Sequence, residues 1–476
     1  MKKRILLLTL ILICGGAFTG RSQASATTVL PEWIANDGQI TSGLLSVPEN
    51  HDDPKGKEIQ IAYAVVKGND PATAGPPMIF FSGGPGGTTL DQGLVGFIKE
   101  HPFLEDRDII LFDQRGIGYS SPLPDMSFDS FRILAADASP EEEQQLTREM
   151  IESYREQCSA RGVQPEFYNT LQNARDVGML FEHLGYKKYI LYGGSYGTRL
   201  ARVVQDLFPG FIHSAVLDSP SPLSGDFLIN RLDSYSLALS RIFEYCDASP
   251  ECHEKYPDLK ADYFKAISRL DDSPVSVTLN DSIPFVINAQ DGIYLIRRLL
   301  YQQNSREKAP ELIHDFLQGS GEVIDQVLQF EYQLTGGLNL TMLLSVEKFE
   351  QFDPANTAEV IEKSYEAYPL IPEKLGFFDA FYQAGMDWHS GNLPMEERVF
   401  KDSDIPTLIL VNRYDPVTPP RNGRLFKEKL NRGILLILDE GGHGGGNESC
   451  KEGVIADFMN NPEVAPDVSC LNLFKE

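Results

Sequence analysis

Between Tyr189 and Gly197 the chain reads Tyr-Ile-Leu-Tyr-Gly-Gly-Ser-Tyr-Gly, an apolar run that stops at a serine set among glycines. A helix-like stretch, Thr198 to Leu207, follows at once. Strand, G-x-S-x-G and helix in immediate succession require a tight turn at Ser195, with neighbouring backbone so close that only glycine fits beside it. Such a turn presents Ser195 at the top of a sheet with the dipole of the following helix behind it. The competing account is an ordinary glycine-rich strand-to-helix connection. The rest of the chain decides between the two.

Other short apolar runs also end in loops rich in polar residues and glycine. Met78 to Phe81 leads into Ser82-Gly83-Gly84-Pro85-Gly86-Gly87, and Ile109 to Phe112 into Asp113-Gln114-Arg115-Gly116. Runs apolar throughout suit strands buried on both faces. Ile59, Ile61, Tyr63 and Val65 alternate as one face of an earlier strand, and Ile212 to Leu217 reads as a further buried one. Between them, Ser139-Pro140-Glu141-Glu142 opens a helix reaching about Ala160, with serine as cap and glutamate three residues on. Asn173 to Leu184 reads as another helix, ending at Gly185. This alternation predicts a parallel sheet with helices on both faces. Ligands of such sheets lie where the strands finish.

The alternation breaks after Leu223. From there to Pro394 the pattern is mainly helical, interrupted by a strand-rich interlude from Val275 to Ile287. The sheet resumes with Thr407 to Asn412, ending in Arg413-Tyr414-Asp415, and with Gly433 to Leu438, ending in Glu440-Gly441-Gly442-His443. The expected organisation is a leader (1–26), a first core segment (27–220), an inserted helical cap (221–395) and a second core segment (396–476).

A serine hydroxyl is a poor nucleophile until a base takes its proton, and the base needs a carboxylate to hold its tautomer. Ser195, Asp415 and His443 each follow a strand, in the chain order of α/β hydrolases. His183 at a helix end and His253 beside a cysteine read as surface or structural groups. The oxyanion formed on attack needs two backbone donors. The Tyr196 N–H at the start of the helix is one; Gly84 supplies the second, with Gly83 in reserve, because Pro85 has no N–H.

Ser82-Gly83-Gly84-Pro85-Gly86, Asp113-Gln114-Arg115-Gly116 and Gly193-Gly194-Ser195-Tyr196-Gly197-Thr198 together resemble the prolyl aminopeptidase and tripeptidyl aminopeptidase branch of the α/β hydrolases. The stretch Gly43 to Asn50 is similar to the opening of the secreted, tripeptidyl-type members. The resemblance implies a metal-free, cofactor-free serine exopeptidase that releases one or a few residues from a peptide with a free N-terminus. It also implies a lid glutamate that binds the substrate's α-amine, and Glu350 matches best. Trp388, after Asp387, either walls the substrate pocket or packs within the lid. Members often carry histidine where this chain has Ser82, and cysteines at the positions of Ser42 and Lys348. One disulfide of those members is therefore expected to be absent. An esterase acting on small acyl esters, with the same triad, is the alternative. A catalytically silent binding protein on the same scaffold conflicts with the intact triad.

Lys2-Lys3-Arg4, the apolar run Ile5 to Ile13 and Ala24-Ser25-Ala26 have the form of a cleaved export signal, too short in its apolar part for an anchor. Ile13 before Cys14 is too bulky for a lipidation signal. Removing residues 1–26 takes the formal charge from −26 to −30, which disfavours nucleic acid and anionic membranes as partners. In an oxidising compartment Cys246 with Cys252 and Cys450 with Cys470 are the natural neighbours to pair. Cys158 is left over, on a helical stripe with Leu146, Met150 and Tyr154. No cysteine or histidine spacing suggests a metal site.

Overall fold

The computed structural model describes residues 29–70, 75–444 and 448–475. The expected export signal lies outside them. Among the described residues, strands β1 (Ile40–Pro48), β2 (Glu58–Val66), β3 (Met78–Phe81), β4 (Ile109–Phe112), β5 (Tyr189–Gly194), β6 (Ile212–Asp218), β7 (Val275–Leu279), β8 (Ile283–Ile287), β9 (Thr407–Asn412) and β10 (Gly433–Leu438) are formed. Eight of them make one sheet in the order β1-β2-β4-β3-β5-β6-β9-β10. The β1–β2 and β2–β4 pairs are antiparallel, and every pair from β4 to β10 is parallel. The remaining two, β7 and β8, form the antiparallel hairpin behind the strand-rich interlude.

The sheet is apolar on both sides because alternate residues of each strand serve opposite cores. Met78 and Phe80 join Ile109, Leu111, Ile190 and Tyr192 on one face; Ile79 and Phe81 join Ile110, Phe112, Leu191 and Leu217 on the other. Helix α1 (Gln92–Lys99) and the C-terminal helix cover the first face through Leu94, Val95, Ile455 and Phe458. Helix α2 (Pro140–Ala160) opens with the Ser139–Glu142 capping box. Helix α3 (Thr170–Leu184) begins three residues earlier than expected, capped by Asn169, whose side chain accepts the Gln172 N–H. It packs on the second face with α4 (Tyr196–Leu207) through Val177, Leu180, Leu200 and Val204.

Between β6 and β9 run α5 (Phe227–Ala248), α6 (Ala289–Leu299), α7 (Leu340–Glu350) and α8 (Gly376–Gly385), among other helices. Their apolar residues form a cluster of their own, which includes Leu232, Tyr235, Ile293 and Phe378. That cluster also takes in Phe131, Met150, Ile151 and Cys158. The helical layer thus draws on residues before the expected boundary at 220. Leu146 does not join the stripe expected for it: it is an exposed position of α2. After β9 come α9 (Pro420–Glu428) and α10 (Glu448–Asn460).

Disulfides join Cys246 to Cys252 and Cys450 to Cys470, and Cys158 is a buried free thiol. Burial pushes that thiol up to about 12, so it stays protonated and inert. The two bridges close loops of 6 and 20 residues. Chain-entropy arithmetic assigns the longer loop roughly 3 kcal/mol and the shorter roughly 2. Replacing Cys450 and Cys470 by serine should therefore lower the apparent melting temperature more than replacing Cys246 and Cys252. A larger drop for the second pair would show that enthalpy at α5, not loop closure, governs these bridges.

Candidate active site

Ser195 sits between β5 and α4 with φ 53° and ψ −122°, a conformation that costs a non-glycine residue energy and needs support around it. Two glycines make room for it. A Cβ on Gly197 would lie 2.0 Å from the Phe81 carbonyl oxygen, and one on Gly193 would lie 2.5 Å from the Gly197 carbonyl oxygen. The first turn of α4 is thus pressed directly against the end of β3. The Ser195 N–H donates to the Asp218 carbonyl at 2.9 Å, which fixes the turn to the neighbouring strand β6.

The loop after β3 is consequently brought beside the start of α4. Tyr196 is the first residue of that helix, so its N–H has no acceptor one turn back. Gly84 and Gly86 both have φ of 108°, open to glycine alone. Ser82 stands at the head of this loop: its hydroxyl donates to the Gly87 carbonyl at 2.5 Å, and Gln114 Nε2 donates to the Ser82 carbonyl at 3.1 Å. The Asp113-Gln114-Arg115 motif is therefore a brace. Asp113 accepts from Thr88, Thr89, Leu90 and Tyr119, and Arg115 pairs through two nitrogens with Asp176 at 2.8 and 2.7 Å.

Asp415 and His443 follow β9 and β10, and both side chains are buried. His443 Nδ1 lies 2.8 Å from Asp415 Oδ2, and His443 Nε2 lies 2.9 Å from Ser195 Oγ. With Nδ1–H donating to the carboxylate, Nε2 is left to accept from the serine hydroxyl. Asp415 is itself held: Oδ1 accepts the N–H groups of Val417 and Thr418 at 2.7 and 2.8 Å, and Oδ2 accepts the Thr418 hydroxyl at 2.6 Å. Burial alone would raise the Asp415 carboxyl, but His443 and these donors hold it below the usual range. For His443 burial acts downward, and the Asp415 charge and hydrogen bond outweigh it, leaving the imidazole above its ordinary value.

Glu350 does not present a free carboxylate. Its Oε1 accepts the Thr170 N–H at 2.6 Å, and its Oε2 accepts from Arg199 at 2.9 Å. Glu347, one turn earlier on the same face of α7, reaches the same guanidinium at 3.4 Å. Arg199 lies one turn beyond Ser195 on α4 and also donates to Ser221. Trp388 is buried in the helical layer with its indole N–H on Ser345 Oγ at 2.9 Å. Lys348, also buried, stands where the resembled members carry cysteine. His183 accompanies Tyr63 at 2.8 Å, in a structural role.

Residues 76–254 match the family described as alpha/beta hydrolase fold, and residues 379–470 match the family described as TAP-like protein. The chain has the α/β-hydrolase fold. This hydrolase is 22% identical to the putative hydrolase YuaR of Escherichia coli (strain K12), over 94% of this chain and 92% of that relative. It is 23% identical to the serine protease Hip1 of Mycobacterium tuberculosis, over 84% of this chain and 81% of the relative. It is 31% identical to the tripeptidyl aminopeptidase of Streptomyces coelicolor over 190 residues. That last match spans 38% of the hydrolase and 35% of the relative, about a third of the latter's length.

Several site residues carry no sequence signal. Lys451 on α10, fully buried, pairs with Asp218 at 2.7 Å and donates to the Gly444 carbonyl at 3.1 Å, anchoring the histidine loop of the hydrolase. The helical layer reaches down to both catalytic loops. Asn339 N–H donates to the Gly86 carbonyl at 3.0 Å, and Gly442 N–H donates to the Gln302 carbonyl at 3.1 Å. Tyr301 lies edge-on to the His443 ring, with centroids 5.2 Å apart. Burial raises its phenol, but Arg297, Arg298, His443 and Arg231 together outweigh that and bring it to about 8.

Gly197→Ala should drive its methyl group into the Phe81 carbonyl and displace Ser195 from His443. The expected outcome is loss of fluorophosphonate labelling together with a lower melting temperature. Gly96→Ala in α1, where a Cβ meets nothing within 4 Å, should instead stabilise by about 0.5–1 kcal/mol. Labelling of the Gly197 variant at the wild-type rate would refute the close-approach account of this turn.

Proposed function

We propose that this serine hydrolase is an exported aminopeptidase that cuts peptide bonds near a free N-terminus. Ser195 Oγ adds to the scissile carbonyl carbon while its proton passes to His443 Nε2. The oxyanion is received by the N–H groups of Tyr196 and Gly84, with Gly83 as the alternative donor. Collapse breaks the C–N bond, and the proton on His443 goes to the leaving amine. Water, deprotonated by the same imidazole, then frees the acyl group from Ser195. Asp415 holds the tautomer and stabilises the imidazolium.

The observation that carries a peptidase reading over an esterase is the acidic face of α7. Glu347 and Glu350 share one guanidinium, Arg199, one helical turn from the nucleophile. Two carboxylates on one cation leave a negative charge in a closed site, and a substrate α-ammonium is the natural complement. Glu350, tied to Thr170 and Arg199, sets the position, and Glu347 extends the charge. The names of the relatives, a tripeptidyl aminopeptidase and a serine protease, agree with this substrate class. Export is supported by the basic-apolar leader and the two disulfides.

An aminoacyl p-nitroanilide should be turned over, and its N-acetyl form should lose most of its kcat/KM. Equal turnover of the two would transfer the protein to the esterase reading. Ser195→Ala should abolish fluorophosphonate labelling, and Asp415→Asn should lower kcat by about 10⁴. Catalysis needs the neutral imidazole, and the His443 pKa is raised, so kcat/KM should fall with acid through a midpoint above about 6.5, the ordinary histidine value. A midpoint well below that value would mean that His443 is not the base.

A further inference from the structure

Beyond the triad, two arginines of the helical layer carry guanidinium groups that make no ion pair among the described residues. Arg297 on α6 is fully buried, and its Nε and one Nη have no hydrogen-bond partner. Its other Nη lies 3.3 Å from the Tyr301 hydroxyl. Arg231 on α5 donates to the Phe227 carbonyl at 2.8 Å, and its Nε is likewise unpartnered. Both guanidiniums lie over the Phe378 ring, at 5.1 Å for Arg231 and 4.8 Å for Arg297. Their neighbour Arg298 differs, being neutralised by Glu331 at 2.6 Å. Among the described residues no carboxylate comes within ion-pairing distance of Arg231 or Arg297.

Buried charges of one sign are costly unless paired, and unpartnered guanidinium N–H groups add their own desolvation penalty. A chain that carries 68 acidic residues against 42 basic ones has no shortage of carboxylates to place there. What adjoins the pair instead is Tyr301, which touches the His443 ring. The two arginines are therefore linked to the reaction centre through Tyr301, which meets the imidazole edge-on. Arg231 and Tyr301 are half-buried, whereas Arg297 is fully buried.

We propose that Arg231 and Arg297 form a carboxylate subsite beside His443, which selects substrates bearing an anionic group on the leaving side of the scissile bond. The ligand is a carboxylate, supplied either by the C-terminus of a short peptide or by an aspartate or glutamate side chain. Guanidinium forks match a carboxylate's geometry through paired N–H donors, and the low dielectric of the closed site strengthens the contact. This subsite rests on the peptidase reading. It gives the site groups of both signs: carboxylates of α7 for the ammonium of the substrate, arginines of α5 and α6 for its anion.

The test compares short unblocked peptides in pairs, Glu against Gln at each position after the cut, and free C-terminal acid against amide. The wild-type protein should favour the anionic member of at least one pair by roughly ten- to a hundredfold in kcat/KM. Arg297→Gln and Arg231→Gln should each bring that ratio toward one, and Arg297→Lys should restore part of it. Both members are read on one protein, so a general loss of activity cancels in the ratio. The favoured pair identifies the source of the carboxylate. A ratio near one for every pair in the wild-type protein, or a preference unchanged in the variants, overturns the subsite.

If no unblocked peptide is cut, the peptidase reading fails separately, and the subsite is then tested by protection. Glutarate should slow fluorophosphonate labelling of Ser195 where glutaramide does not, and Arg297→Gln should erase the difference. Equal effects of the two compounds on the wild-type protein count against the subsite.

Discussion

Asp218, the last residue of β6, joins the nucleophile to the base. Its backbone carbonyl receives the Ser195 N–H, and its carboxylate takes Lys451, which in turn holds the Gly444 carbonyl of the histidine loop. Ser195 and His443 are 248 residues apart in sequence, yet each is tied to this one strand end. A buried ion pair of this kind adds little net stability, but removing one partner typically costs 3–5 kcal/mol. Its contribution here is positional. It sets the height of two loops against a common reference, so that a hydrogen bond of 2.9 Å between serine and imidazole needs no adjustment in either.

The same strand end explains why the turn at Ser195 can hold a strained conformation. Positive φ at a serine persists only where the surroundings over-determine it. Here β5 is flanked by β3 and β6, and the first helical turn is wedged against Phe81, so the backbone has nowhere to relax. The helix must then begin at once, and its free N–H groups face the loop after β3 by construction. The oxyanion donors proposed above would thus be a by-product of the constraint that holds the serine in its turn.

What the sequence revealed follows from how local each signal is. The bounds of β3, β4, β9 and β10 were legible to the residue because an apolar run between polar turns admits one solution. The capping box at Ser139 was equally plain, being complete within four residues. The start of α3 was less legible, since Asn169 caps it and Thr170 to Gln172 extend the helix one turn before Asn173. Leu146 looked like a core residue on its own helix, but nothing local shows which face of α2 a separate layer will cover. Glu350 was singled out by likeness and proves to be a held carboxylate, because Arg199 and Thr170, which hold it, are distant in sequence. Lys451, Tyr301 and the arginines of α5 and α6 lay beyond sequence reasoning for the same cause. Their meaning comes from long-range pairing alone.

The distribution of charge separates two tasks that composition merges. The formal charge of −26 belongs mainly to the surface, where salt screens it over about 10 Å and where it governs solubility. Inside the helical layer charges of both signs are buried, Arg297 and Arg298 together with Asp291, Glu331, Glu347, Glu350 and Asp379. Glu347 and Glu350 meet Arg199 of α4, and Glu331 meets Arg298, while Arg231 and Arg297 have no ion pair among the described residues. Each interior charge acts in a medium of low effective dielectric, so one unbalanced guanidinium beside His443 outweighs many surface carboxylates at longer range. An acidic protein can therefore present a cationic corner to its substrate, provided the corner is walled off. The Asn339–Gly86 and Gln302–Gly442 hydrogen bonds fasten the helical layer over the loops and supply that wall.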